Sequence, residues 1–142
     1  PQEMVRVVNE MAARADWVLP GLAEGHLLTG RPDADGVAAF YLEQGASCVV
    51  IKNGAYGASA HTAGGRVDQP VFPVRVVDTV GAGDGFAAGL ISGHLDGLDL
   101  PARLRRAAAV GALATTSPGD KDGLPTRAEL DEVVAAVAVP VA

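Results

Sequence analysis

Two acids bracket a glycine-rich turn in Asp78-Thr79-Val80-Gly81-Ala82-Gly83-Asp84-Gly85-Phe86, and an apolar helical pattern follows at once. Gly81, Ala82 and Gly83 can bring bare backbone N–H groups close to an anion, where larger side chains would crowd the approach. The helix that follows adds the partial positive charge of its N-terminus. Asp84, at the mouth of that helix, is placed to take a proton. The chemistry that needs these parts together is phosphoryl transfer, in which the protein positions the reactants, offsets charge and helps the attacking hydroxyl lose its proton. A plainer reading stands beside it: an ordinary loop in which Gly81 and Gly83 serve the turn and Asp84 caps the helix. The stretch is not a Walker A loop, which requires Gly-x-x-x-x-Gly-Lys-Ser/Thr. It also lacks the glycine spacing of a dinucleotide fingerprint.

The elements that must hold this stretch follow from periodicity and punctuation. Residues 1–15 read as a helix with Val5, Val8 and Met11 on one face, Met4 and Ala12 beside them. Residues 15–20 form a short apolar run ended by Pro20, as a buried parallel strand would. A short helix over 22–28 closes at Gly30. A better one over 33–44 puts Val37, Phe40 and Tyr41 on one side and ends at Gly45. Residues 47–52 read as a strand buried on both faces and ending in Lys52. Gly54-Ala55-Tyr56-Gly57 is a turn, and 58–62 and 66–68 flank Gly64-Gly65 as a hairpin. Residues 71–77 contain Pro73 and alternate weakly, which fits an edge strand or an extended approach.

Beyond the central motif, a helix over 83–94 places Phe86, Leu90 and Ile91 on one face. Asp99 caps the next helix, Pro101 lies in its first turn, and its alanine-rich body runs to about Thr116. Residues 117–124 are a polar loop. Thr126-Arg127-Ala128-Glu129 is a capping box that opens a last helix, with Leu130, Val133, Val134 and Val137 inward. Strands alternating with helices point to an α/β layer structure with a largely parallel sheet, to which the hairpin adds an antiparallel portion. In such sheets ligands bind outside the carboxyl ends of strands, where both the Asp78–Asp84 turn and Lys52-Gly57 would fall.

Bulk properties narrow the classes. The 142 residues suffice for one domain with its own core. Hydrophobic content of 49% with 20% charged residues is a globular rather than a disordered composition. The net charge of −6 argues against a general nucleic-acid binder. No apolar run is long enough to span a membrane. Cys48 is the one cysteine, set in a strand-like run, so it reads as a structural thiol in a reducing compartment. His26, His61 and His94 lack metal-ligand spacing. Arg103, Arg105 and Arg106 read as a solvated basic face. A chain that opens beside a helix at Pro1, with no leader pattern, suggests a fragment or a processed product.

Taken whole, the stretch from Asp78 to Phe86 resembles the C-terminal signature of the ribokinase-like (PfkB-type) carbohydrate kinases. Further matches run along the chain. Ala15-Asp16-Trp17-Val18-Leu19-Pro20-Gly21-Leu22-Ala23-Glu24 with Leu27-Leu28-Thr29-Gly30 is similar to the family's strand and Asn-x-x-Glu segment, with Gly21 where the asparagine is expected. Val49-Val50-Ile51-Lys52-Asn53-Gly54-Ala55-Tyr56-Gly57-Ala58 resembles its nucleotide-side strand and turn. Ala109-Val110-Gly111-Ala112-Leu113-Ala114 resembles the helix beside the adenine, with alanine at position 108 where many members carry asparagine. Within the family, the ending from Ser117 to Thr126 and Leu19-Pro20-Gly21-Leu22 look most like 2-keto-3-deoxygluconate kinases.

The resemblance implies a ribokinase-like three-layer α/β/α fold with a mostly parallel sheet, of which residues 1–142 are the C-terminal nucleotide-binding and catalytic portion. The N-terminal half, with the substrate lid, would be absent. It implies an ATP-dependent kinase of a sugar or sugar acid, with 2-keto-3-deoxygluconate first and fructose, ribose or a nucleoside as alternatives. A non-catalytic nucleotide-binding fragment is the reading from another class. Asp84 would be the base for the sugar hydroxyl, with Gly81, Ala82 and Gly83 as the anion hole. Glu24 would act through water on Mg2+. Lys52, Gly54 and Gly57 would lie along ATP, with Gly111 and Ala112 against its base. Asp78 and Thr79 would hold a monovalent cation or the loop itself. The implied partner is a small-molecule sugar, with no nucleic acid and no membrane, in a cytoplasmic protein for which homo-oligomerisation stays open.

Overall fold

The computed structural model describes residues 1–137. The elements, in chain order, are α1 Gln2–Ala12, β1 Trp17–Val18, α2 Leu22–Thr29, α3 Ala34–Glu43, β2 Cys48–Lys52, a 3-10 turn Gly54–Tyr56, β3 Ala58–Thr62, β4 Gly65–Gln69, α4 Ala82–Leu95, α5 Leu100–Ala114 and α6 Arg127–Ala136. The length admits a single core, but the backbone forms two compact units, Pro1–Asp68 and the residues from Gln69 onward.

In the first unit the strands lie in the order β1-β2-β3-β4. β1 and β2 are parallel, with Trp17 opposite Cys48, and β2 and β3 are antiparallel, with Val49 opposite His61. The α/β class is as expected, but the described sheet is mixed, with one parallel pair. A connection through α2 and α3 gives β1 and β2 the same direction, whereas the short turns before and after β3 can only reverse the chain. The second turn falls at Ala63-Gly64, one residue earlier than the glycine pair suggests, with the Gly64 N–H donating to Thr62 Oγ1 at 3.2 Å.

β2 is buried along four of its five residues, and Val49 and Ile51 meet Val37, Ala38 and Tyr41 of α3 in one core. Each such aliphatic side chain contributes about 1.5–3 kcal/mol on burial. Asp33 caps α3 by accepting from the Gly36 N–H at 2.7 Å, and Gly30 ends α2 in the left-handed region at φ 68°. α1 differs from its sequence reading. Val5 and Ala12 are half-buried, but Met4, Val8 and Met11 are largely exposed. A polar chain holds this helix instead: the Tyr41 hydroxyl donates to Asn9 Oδ1 at 2.9 Å, and Asn9 Nδ2 donates to the Leu28 carbonyl at 2.7 Å.

In the same unit His61 is buried on β3, its Nε2 2.8 Å from Ser59 Oγ and its Nδ1 3.6 Å from Asp35 Oδ1. Arg66 bridges Asp35 and Asp68, each at 2.7 Å, so α3 and β4 share one charge cluster.

The second unit is helical. α4 lays Gly85, Gly89 and Gly93 against α5, one glycine per turn. A Cβ on Gly89 would stand 2.8 Å from Ala107 Cα, and one on Gly93 would stand 3.1 Å from Arg103 Cα. The missing side chains therefore let the two backbones touch. Phe86 and Leu90 are buried as expected, whereas Ile91 is about half exposed, 49%. The core gathers Phe72, Ala109, Val110, Ala112 and Leu130, with Val133, Val134 and Val137 packed against it. α6 carries its capping box, Thr126 and Glu129 bonding reciprocally.

The three arginines of α5 are not a solvated face. Arg103 Nε donates to the Leu98 carbonyl at 2.6 Å. Arg105 Nη2 donates to the carbonyls of Val134, at 2.8 Å, and Val137, with its guanidinium 5.1 Å above the Phe72 ring. Arg106 pairs with Asp96 at 2.6 Å. Residues 71–77 take the extended approach and join no strand. Pro70 and Pro73 remove ladder donors, and the Val77 and Asp78 N–H groups both donate to the Thr115 carbonyl, at 2.7 and 3.1 Å. Among the described residues no helix is long and apolar enough to cross a membrane.

Candidate functional site

Within the second unit, Gly81 is the N-cap residue of α4, in the left-handed region at φ 80°. That conformation favours glycine, and close contact demands it as well: a Cβ there would lie 2.7 Å from the Asp120 carbonyl oxygen. Glycine has no side chain to bond the first helical N–H groups, as Ser or Asp would in this position. The Ala82 N–H donates to the Thr79 carbonyl, at a long 3.3 Å. Among the described residues the N–H groups of Gly81, Gly83 and Asp84 have no acceptor. Of the three groups expected as an anion hole, Ala82 is thus engaged, and the Asp84 N–H joins Gly81 and Gly83 instead. Open N–H groups at a helix N-terminus fit a phosphate oxygen.

Asp84 is the third residue of α4 and is exposed. It does not cap the helix, and among the described residues its carboxylate accepts no hydrogen bond. A carboxylate left open beside open N–H groups can take a proton from a hydroxyl brought to the same anion. Asp78 differs. Its Oδ1 accepts from the Val80 N–H at 3.0 Å and its Oδ2 from the Gly119 N–H at 3.1 Å. The Val80 bond, then the Gly119 bond, holds the Asp78 carboxyl below the usual carboxylate range, with a smaller contribution from the Thr79 N–H. Thr79 contributes the carbonyl that receives Ala82.

Gly111 and Ala112 are buried in α5. A Cβ on Gly111 would stand 3.1 Å from the Ala82 carbonyl and 3.3 Å from Phe86 Cβ, so this edge of Gly111 packs on the start of α4. Ala112 belongs to the core with Phe72.

The first unit brings its own candidates together at the carboxyl ends of β1 and β2. The Lys52 N–H donates to the Pro20 carbonyl at 3.0 Å, and Lys52 bridges Gly21 in parallel. Gly21 is the N-cap of α2 in extended backbone, and Glu24 Oε2 accepts its N–H at 2.7 Å. One Glu24 oxygen is thus committed to the helix start, and Oε1 remains for other work. The Lys52–Gly57 turn closes through the Asn53 N–H to the Gly57 carbonyl at 2.8 Å, with Gly54 and Gly57 at φ 52° and 91°. It holds Tyr56 out, 87% exposed. Among the described residues no three His, Cys, Asp or Glu side chains form a metal cage. A magnesium ion here would take one carboxylate, with phosphate oxygens and waters for the rest, which is its ordinary mode beside nucleotides.

Sequence reasoning missed Thr115, and it read Asp120 as a local loop cap rather than as a carbonyl against Gly81; both act through backbone atoms and so leave no residue-type signal. Gly119 carried one, as a glycine in a polar loop, now seen at φ 83°.

The pfkB family of carbohydrate kinases matches residues 1–127. The 2-dehydro-3-deoxygluconokinase of Bacillus subtilis (strain 168) is 51% identical over 140 residues, covering 94% of this chain and 41% of that protein. The crystal structure of a PfkB protein from Polaromonas sp. JS666 superposes with a TM-score of 0.79 at 47% identity, over 92% of this chain and 40% of the other. A ribokinase II from E. coli, solved with ATP and Mg2+, gives a TM-score of 0.88 at 30% identity, over 94% of this chain and 44% of the other. The chain thus spans less than half the length of the relatives it matches, and over that span it belongs to the pfkB family of carbohydrate kinases.

Proposed function

We propose that this chain is the C-terminal nucleotide-binding and catalytic portion of an ATP-dependent kinase that phosphorylates a sugar-acid hydroxyl, with 2-keto-3-deoxygluconate, converted to its 6-phosphate, as the substrate. The observation that carries the reading is the start of α4. There the Gly81, Gly83 and Asp84 N–H groups lie open beside an Asp84 carboxylate that no described residue engages. ATP with Mg2+, when bound, supplies the phosphoryl group and offsets its charge. Asp84 holds the proton released by the attacking hydroxyl. The open N–H groups orient the phosphoryl oxygens. In the first unit, Lys52 and the Gly54–Gly57 turn would lie along the nucleotide, and the open Glu24 Oε1 would hold Mg2+ through water. The likeness to the Bacillus subtilis 2-dehydro-3-deoxygluconokinase supports the substrate. The protein is read as cytoplasmic.

The test is ATP consumption by a kinase polypeptide that contains this chain, assayed over a panel of sugar acids, fructose, ribose and nucleosides. Turnover with 2-keto-3-deoxygluconate above the others is the expected result, and preference for another acceptor would overturn the substrate. Asp84→Asn should lower kcat by about 10²–10⁴-fold, the usual worth of a positioned base. Unchanged turnover in that variant would remove Asp84 from the role. The 142-residue chain alone should bind ATP without efficient turnover, and calorimetry showing no binding at millimolar ATP would sink the nucleotide reading.

A further inference from the structure

We propose that His61 is a proton-operated latch: on charging, its ring takes the Asp35 oxygen that Arg66 holds, unties α3 from β4, and loosens β3 together with the Gly54–Gly57 turn that β3 continues. The latch lies within the first unit and needs no ligand; its effect on ATP rests on the kinase reading.

The geometry sets two cations against one oxygen. Asp35 Oδ1 accepts from Arg66 Nη1 at 2.7 Å, and the same oxygen faces His61 Nδ1 at 3.6 Å. On the other side of the ring, Nε2 stands 2.8 Å from Ser59 Oγ. A neutral ring fits this arrangement: Nε2 accepts from the Ser59 hydroxyl, Nδ1 carries the proton, and Asp35 stays with Arg66. An imidazolium does not fit. Both of its nitrogens donate, so Ser59 must turn its own proton elsewhere, and the charged Nδ1–H competes for Asp35 Oδ1. Arg66 has a second hold, because its Nε and Nη2 donate to Asp68 Oδ1 at 2.9 and 2.7 Å. It can therefore release Asp35 and keep a charge partner. Asp35 is the second residue of α3, and Arg66 and Asp68 lie on β4, so the exchange moves the tie of α3 from β4 to β3.

The setting opposes the charge. His61 and Ser59 are both buried. The charged groups facing the ring are Asp35 from α3 and Arg66 and Asp68 from β4, while β2 presents the apolar Val49 opposite. Burial, then Arg66, disfavours the imidazolium, against the two carboxylates. The nearby start of α3 adds its partial positive charge. A proton is therefore taken up as β3 gives way toward water. That strand reaches the nucleotide candidates directly. Its ladder with β2 runs from the pair Val49–His61 to the pair Lys52–Ala58. The turn closes just beyond, through the Asn53 N–H on the Gly57 carbonyl at 2.8 Å.

The experiment follows the 142-residue chain from about pH 7.5 to about 5, across the ordinary histidine range, beside His61→Gln and Asp35→Asn. NMR reads the His61 ring and the protection of the Asn53 amide relative to its intrinsic exchange, and calorimetry reads the Kd for ATP. As His61 charges, Asn53 should lose protection by about fivefold or more, the lower end of ordinary coupling between sites, and the Kd should rise by a similar factor. In His61→Gln protection should stay level, and the residual change in Kd measures the protonation of ATP itself. In Asp35→Asn the ring loses a carboxylate that favours its charged form, so both changes should move to lower pH. Asp35 is exposed, so this variant decides the matter should His61→Gln fail to fold.

Asn53 protection that stays level while His61 titrates would overturn the latch, as would an equal loss in His61→Gln. A ring that stays neutral to pH 5 would overturn it too. Each of these leaves the kinase reading standing. Loss of Asn53 protection in step with His61, with no ATP bound at any pH, would support the latch and remove the nucleotide reading instead.

Discussion

Gly89 of α4 lies against Ala107 of α5 so closely that a Cβ on the glycine would stand 2.8 Å from the Ala107 Cα and 3.0 Å from the Arg106 carbonyl. Inside a helix, alanine normally gains about 0.5–1 kcal/mol over glycine. Here the contact is backbone on backbone, and no rotamer can relieve it. Gly89→Ala should therefore destabilise the protein by about 1–3 kcal/mol, the usual range for overpacking. Urea denaturation checks this, and a stabilised variant would show that the helices part without penalty.

Arg105 links α5 to the carboxyl end of α6 through the Val134 and Val137 carbonyls, with Phe72 beneath its guanidinium. Arg105→Ala removes donors from carbonyls that have few other partners at a helix end, at about 1–3 kcal/mol. Lysine should recover little, because it lacks the planar fork. Hydrogen exchange should show α6 opening first in both variants. Unchanged protection in α6 would rule the anchor out.

His61 gives the stability a pH dependence with a defined sign. Burial is the main cause that lowers its pKa from the ordinary 6.5, and Arg66 adds to it, against the opposing fields of Asp35 and Asp68. The folded protein therefore favours the neutral ring, which can accept from the Ser59 hydroxyl. This contribution is fully present above the unfolded value of about 6.5 and is lost as the pH falls from there through the folded pKa. Denaturant midpoints measured from pH 7.5 down to 5 should drop, and His61→Gln should flatten that part of the profile. An equal slope in the variant would assign the loss to other groups.

Gly21 occupies the N-cap of α2 at φ −70° and ψ 157°, a conformation open to any residue, and a Cβ there would meet Glu24 Oε2 at an ordinary 3.4 Å. Gly21→Asn should stabilise the protein by a few tenths of a kcal/mol through a side-chain cap. A decrease in the thermal midpoint would mean that the glycine is required for a reason other than helix start.

The chemistry-bearing stretch was legible because its parts are residue types: glycines that leave N–H groups open, an acid three positions into a helix, and apolar spacing behind it. The capping devices at Asp99 and Thr126 were legible for the same reason. What escaped were relations made by backbone atoms or by partners distant in sequence. The Thr115 carbonyl, the Asp120 carbonyl against Gly81 and the Asn9–Tyr41 pair carry no local pattern. The α5 arginines were misread because periodicity puts them on a polar face and cannot see α6 arriving to use Arg105. The short β1 was overestimated as a strand over 15–20 because an apolar run ended by proline does not reveal how much of it finds a ladder partner.

Thr115 sits at the end of a fifteen-residue helix. Each residue of such a helix turns the chain by about 100° and advances it by about 1.5 Å. The distance and the azimuth of the Thr115 carbonyl are therefore counted out from the contact of Gly93 with Arg103, one residue at a time. Helix α5 thus acts as a gauge with no tolerance for insertion. One residue added between Arg103 and Thr115 would swing the carbonyl away from Val77 and Asp78, whereas many substitutions on its outer side would leave the gauge true. Length, more than composition, is what this helix has to keep.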